Sequence, residues 1–176
     1  MNKRIHNRVS ALAILAGAAG MAITFAGTAW AQQKAASQKD IRGSWTLVSQ
    51  TTTSPDGKKT QGFGADPKGL LVFLPNGMYT LQICSAQRPK FAANARDKGT
   101  AEENQAAIRG CNPHWEKCSV DPKTHSIVFD IQHAVFPNWE GTRQERKYTV
   151  KGDQLTYFVP TASTGGTADL VWRRAK

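Results

Sequence analysis

The polar residues with the most to say about chemistry are His133, Gln144, Arg146 and Gln82. A histidine, two amides and a guanidinium gathered in an apolar lumen would orient one small molecule by a few placed polar contacts. Strand alternation suggests that they gather. In residues 126–134, SIVFDIQHA, the side chains of Ile127, Phe129, Ile131 and His133 share one face, and Val128, Asp130 and Gln132 share the other. The apolar face is expected inside, and His133 goes with it. In residues 142–150, TRQERKYTV, an inward Tyr148 and Val150 bring Gln144 and Arg146 in by the same period of two. An inward arginine is costly unless it is paired and hydrogen-bonded. Arg146 therefore either clamps an acidic group of a ligand or completes a structural network.

Other residues flank this set. His114 and Arg88 lie beside a helical insertion and would frame an entrance, although a lone histidine is more often a satisfied core or surface group. Trp139 either overhangs the mouth or packs. Cys84, Cys111 and Cys118 leave one thiol over, and spacing does not settle their pairing. Cys111 with Cys118, closing a short loop, is the first expectation. The array C-x2-H-x3-C at Cys111, His114 and Cys118 lacks the fourth ligand of a structural zinc site, so no metal is expected. No G-x-S-x-G, H-E-x-x-H, P-loop or G-x-G-x-x-G occurs. No catalytic residue is assigned, no cofactor is expected, and binding is favoured over catalysis. The alternatives are a cofactor-free isomerase or cyclase, in which His133 moves a proton and Arg146 steadies an enolate, and an interaction barrel whose lumen is filled by Phe129, Tyr148, Tyr157 and tryptophans.

Short β-branched and aromatic segments separated by turn signals must position these residues. Strands are expected at 45–52, 69–74, 78–84, 115–120, 126–134, 141–150, 154–159 and 167–173. Pro75-Asn76-Gly77 is the sharpest hairpin signal. Between Ala92 and Gly110 the composition turns to Ala, Asn, Glu and Gln, and Thr100 with Glu103 has capping-box spacing, so one helix is expected. Eight strands with one short helical insertion fit a closed antiparallel β-barrel, because closure removes exposed edges.

The chain has 176 residues, and 23 Lys+Arg against 13 Asp+Glu give it a formal charge of +10. That length is about one domain. Residues 1–8 carry three positive charges and no acid, an uncharged apolar run follows, and Ala29-Trp30-Ala31 matches an A-x-A cleavage pattern. Residues 1–31 are read as a signal peptide cleaved after Ala31, residues 32–40 as a flexible lead-in and residues 41–176 as the barrel. The +7 that remains is scattered over Lys58-Lys59, Lys90, Arg96, Arg146-Lys147 and Arg173-Arg174, without the basic and aromatic stripe of a nucleic-acid surface. A periplasmic or secreted protein is expected, with a small hydrophobic molecule as partner, no nucleic acid, and no stable membrane insertion after cleavage.

The segments GSWTLVS at Gly43, DPKGLLVF at Asp66, NGMYTLQ at Asn76, RPKFA at Arg88, HW at His114, FPNWEGT at Phe136, QER at Gln144 and LVWRR at Leu170 run in order along almost the whole mature chain. On these the sequence resembles the bacterial lipocalin-like domain family. The resemblance implies a lipocalin-like barrel that binds a small ligand. It also implies that Trp45, after Gly43 in G-x-W, closes one end beside Trp172, with Arg174 or Arg173 packed across it. Where relatives often carry histidine before the F-P-N-W motif, this chain has Phe129-Asp130, and its cysteines depart from the family pattern. N-terminal sequencing of exported protein should begin at Gln32; an intact Met1 on membranes would overturn the cleavage assignment.

Overall fold

In the computed structural model, which describes residues 38–176, alternating strands and tight turns produce a meander in which nearly every strand pairs with the next. A short helix α1 (Gln38–Ile41) leads into β1 (Gly43–Thr53), β2 (Lys59–Thr60), β3 (Lys68–Phe73) and β4 (Met78–Cys84). Helix α2 (Ala101–Arg109) interrupts the strands, and β5 (His114–Asp121), β6 (Ser126–Ala134), β7 (Thr142–Lys151), β8 (Gln154–Val159) and β9 (Thr167–Arg174) complete them. Strand β1 closes the sheet: Gly43–Thr46 pairs with β3 while Trp45–Thr53 pairs with β9, both antiparallel. Eight strands thus form a barrel, with β2 a short addition to the end of β1.

The two ends of the barrel differ because the connections alternate in length. At one end lie the tight turns after β3, β5 and β7, where Gly77 and Gly152 take positive φ and the Met78 amide donates to Asn76 Oδ1. This end is shut. Trp45 and Ile41 are wholly buried, and Trp45 Nε1 donates to the Ile41 carbonyl at 2.7 Å. The Arg174 guanidinium lies 4.1 Å from the centre of the Trp45 ring and donates to the carbonyls of Arg42 (2.7 Å) and Asp40 (2.8 Å). Gly43, at φ +105°, lets the chain turn under that guanidinium. Trp172 is buried and stacks on Tyr157.

The long connections sit at the other end, and one of them carries α2. The capping box forms: Thr100 Oγ1 accepts from the Glu103 amide, and Glu103 accepts from the Thr100 amide. This insertion is stapled at its base by a disulfide between Cys84 and Cys111, whose Cα atoms are 4.2 Å apart. The pairing of Cys111 with Cys118 expected from the sequence does not form. Cys118 lies within β5, and the extended chain from Cys111 carries it roughly 20 Å away at about 3.3 Å per residue. It faces the core instead, where burial pushes its thiol up to about 12. Engaging Cys111 in the disulfide also removes it from the C-x2-H-x3-C array. Among the described residues no group of three or more His, Cys, Asp or Glu is arranged to hold a metal ion.

Peptide mapping should recover the Cys84–Cys111 bridge, with one thiol that reacts only after denaturation. Replacing Cys84 and Cys111 by serine is expected to cost about 3–4 kcal/mol from the loop entropy restored to the unfolded chain, read from denaturant midpoints.

Candidate functional site

Aromatic side chains fill the barrel from its shut end to its waist. Phe129 is the hub, with Phe73, Tyr79, His114 and Tyr157 around it at centroid distances of 4.8 to 6.2 Å. Above them the packing stops. A chamber of about 80 Å³ remains, walled by Leu81, Ile83, Val159 and Leu170 and by the polar residues Arg146, His114, Gln50 and Asn112. It continues into a wider cleft of about 620 Å³ between the long connections, and Phe63, Arg109, Asn112, Ser163 and Thr164 belong to both. The lumen is therefore not packed solid, as the interaction-barrel alternative required.

Arg146 forms part of the chamber's lining and is 2% exposed. Its guanidinium carbon lies 4.5 Å from the Phe129 centroid, 5.5 Å from that of Tyr157 and 5.6 Å from that of Trp139. Nη2 donates to Gln144 Oε1 at 2.8 Å, while Nε is buried without a hydrogen-bond acceptor. Among the described residues no carboxylate pairs with it. The acids of nearby strands are engaged elsewhere: Asp130 with Arg143, Glu145 with Ser126 and Lys147, Glu116 with His133. Cation–π contacts of about 0.5–2 kcal/mol offset only part of the several kcal/mol that burying a charge costs.

His114 is 1% exposed at the start of β5. Its Nδ1 is 2.8 Å from the Tyr79 hydroxyl, and its ring meets Trp139 edge-on at 5.5 Å. Burial, and secondarily the Arg146 charge, hold its pKa well below the usual 6.5, so the imidazole is neutral. Tyr157 also lines the chamber, with its hydroxyl buried and unpartnered. Burial raises its pKa, while the Arg146 and Trp172 N–H groups beside it favour ionisation without reaching hydrogen-bond geometry.

Gln144 accepts from Arg146 without reaching the chamber, and Trp139 both packs on Phe136 and walls the chamber. Two of the residues expected inside, His133 and Gln82, are not there, and Arg88, expected to frame the entrance, does not border the cleft. His133 is exposed and stacks on Trp115, because β6 carries an extra residue: Trp115 pairs with His133 but Glu116 pairs with Ile131, and the alternation reverses at Gln132. Gln82 faces solvent, since its neighbours Leu81 and Ile83 take the inner face of β4. Arg88 is exposed, donates to the Ser85 carbonyl and packs under Gly110 outside the cleft. Tyr148 is buried as expected but lies away from the chamber, within the field of Asp40 near the shut end.

Gln50, Asn112 and Arg109 were missed. A bulge between Leu47 and Ser49 turns Gln50 and Thr52 inward on the strand that begins with an inward Trp45, so simple alternation points them out. Asn112 and Arg109 come from the insertion, whose docking carries no periodic signal.

The lipocalin-like domain model matches residues 42–175. The chain belongs to the lipocalin-like domain family. Residues of this lipocalin-like domain are 27% identical over 103 positions to the 4'-hydroxy-3'-methoxypropiophenone carrier protein of Aspergillus oryzae, a match covering 53% of the chain and 93% of the carrier. Among solved structures it is similar to the fluorescent protein UnaG, with a TM-score of 0.37 and 11% identity over 78% of the chain and 98% of UnaG, and to a point mutant of UnaG with a TM-score of 0.38.

The buried neutral His114 makes stability depend on pH with a definite sign. The unfolded histidine takes a proton near 6.5 and the folded one does not, so its contribution is complete above that pH and declines below it. Denaturant midpoints should fall on acidification through this window, with a slope from this group of up to about 1.4 kcal/mol per pH unit. His114→Gln should flatten that slope.

Proposed function

We propose that this barrel is exported and binds one small, largely apolar molecule through its open end, with an oxygen of the ligand on Arg146. The observation that carries this reading is the Arg146 guanidinium, buried at the chamber wall with Nε unpartnered and no carboxylate beside it. A structural arginine would have its hydrogen bonds completed by the fold. Here one buried donor of a lining residue is left without an acceptor beside a space with apolar walls, and a few placed polar groups in such a space are how pockets fix the orientation of small ligands. The chamber alone holds little more than a few waters or the head of a ligand, and the cleft above it offers room for the rest. The carrier relative is named for a phenolic aryl ketone, a molecule of this size and polarity. The isomerase alternative drew its base from His133, which lies outside the barrel.

Binding can be followed by quenching of indole fluorescence, because Trp139 walls the chamber. The probes are 4-hydroxy-3-methoxybenzoate, its amide, and 4'-hydroxy-3'-methoxypropiophenone. Arg146→Met should weaken the acid by roughly 10- to 100-fold, the worth of a charged hydrogen bond. Equal affinity in the variant would show that the ligand does not reach Arg146.

A further inference from the structure

Resting on the reading that Arg146 meets the ligand, we infer that the chamber selects its occupant as an anion, and that it takes a weak oxygen acid, a phenol or an enol, in its deprotonated form. The basis is the balance of charge around the space. Arg146 brings a full positive charge from β7, and none of the acids on the strands packed against it forms an ion pair with it: Asp130 pairs with Arg143 while its field also reaches Tyr79 and Cys118, Glu145 is held by Ser126 and Lys147, Glu116 lies 4.0 Å from His133, and Glu140 accepts from the Ala134 amide. Among the described residues the other cation of the lining is Arg109, at the junction with the cleft. Cys118 and the tyrosines Tyr79 and Tyr157 face the same interior and are kept protonated by burial.

His114 adds a donor and no charge. The buried Tyr79 O–H needs an acceptor, and His114 Nδ1 is the one that the described residues supply. With Nδ1 accepting, Nε2 carries the imidazole proton, and it has no hydrogen-bond partner among the described residues. Arg146 and His114 both line the chamber, so an oxygen seated against that wall would be faced by their N–H groups, with Arg146 Nε buried there without an acceptor; the amide oxygens of Gln50 and Asn112, also unpartnered, could take up its other polar substituents. An oxygen held by donors alone, beside an uncompensated charge in a poorly hydrated space, is stabilised more as an oxyanion than as a hydroxyl. Binding the acid and releasing its proton to solvent neutralises the guanidinium. No cofactor or further reactant takes part.

Titration of 4-nitrophenol in the presence of the full chain reads this directly, since its anion absorbs visible light and its neutral form does not. The apparent pKa of the bound phenol is expected about one unit or more below that of the free phenol, a roughly tenfold or larger preference for the anion. The shift should survive high salt, where attraction to the basic surface is screened. Arg146→Lys should retain it, and Arg146→Met, checked for an unchanged circular dichroism spectrum, should lose it. A bound phenol with an unshifted or raised pKa overturns the inference and leaves the small-ligand reading standing. A shift that survives in Arg146→Met, or that is lost in Arg109→Gln or in salt while Arg146 is intact, overturns it as well. Failure of both 4-nitrophenol and the aryl acid to bind overturns the two readings together.

Discussion

Everything in the barrel depends on β1 pairing with two partners. Its first residues run beside β3 and the remainder beside β9, so one strand joins the beginning of the sheet to its end. A flat strand cannot do this, and the bulge between Leu47 and Ser49 supplies the bend. Closure leaves no long unpaired edge and creates an interior that side chains must fill. The same bulge decides which residues those are, since it carries Gln50 and Thr52 to the inside.

Two arginines, one half-buried and one buried, show how one kind of side chain serves different ends of the same fold. Arg174 lies against Trp45 and gives hydrogen bonds to two backbone carbonyls that α1 and the start of β1 leave open, so its charge is absorbed in tying the termini together. Arg146 has aromatic rings around it and one amide oxygen, with a donor to spare. The first completes a closed end. The second sits where packing stops, and its unmet donor is the feature that a ligand would answer.

The asymmetry of the ends follows from an even number of antiparallel strands. Alternate connections fall at opposite ends, and here the short ones share one end and the long ones the other. The Cys84–Cys111 bridge and the capping box of α2 hold the longest of them in place, which is how Arg109 and Asn112 come to stand over the chamber.

The sequence by itself determined the strands, the turns, the capped helix and the inward side of β7, because these depend on neighbours two to four residues apart, and eight such strands in a meander implied the barrel because closure removes exposed edges. Arg146 and Gln144 were legible for that reason. Tertiary structure decided the rest. Bulges in β1 and β6 reversed the alternation after Leu47 and at Gln132, so Gln50 went in and His133 went out. The cysteine pairing followed distance in space, which brought Cys84 to Cys111 across the base of the insertion while Cys118 stayed in the core. Local period tells which face a residue takes only until the ladder gains a residue, and where the ladder gains one is set by closing the barrel.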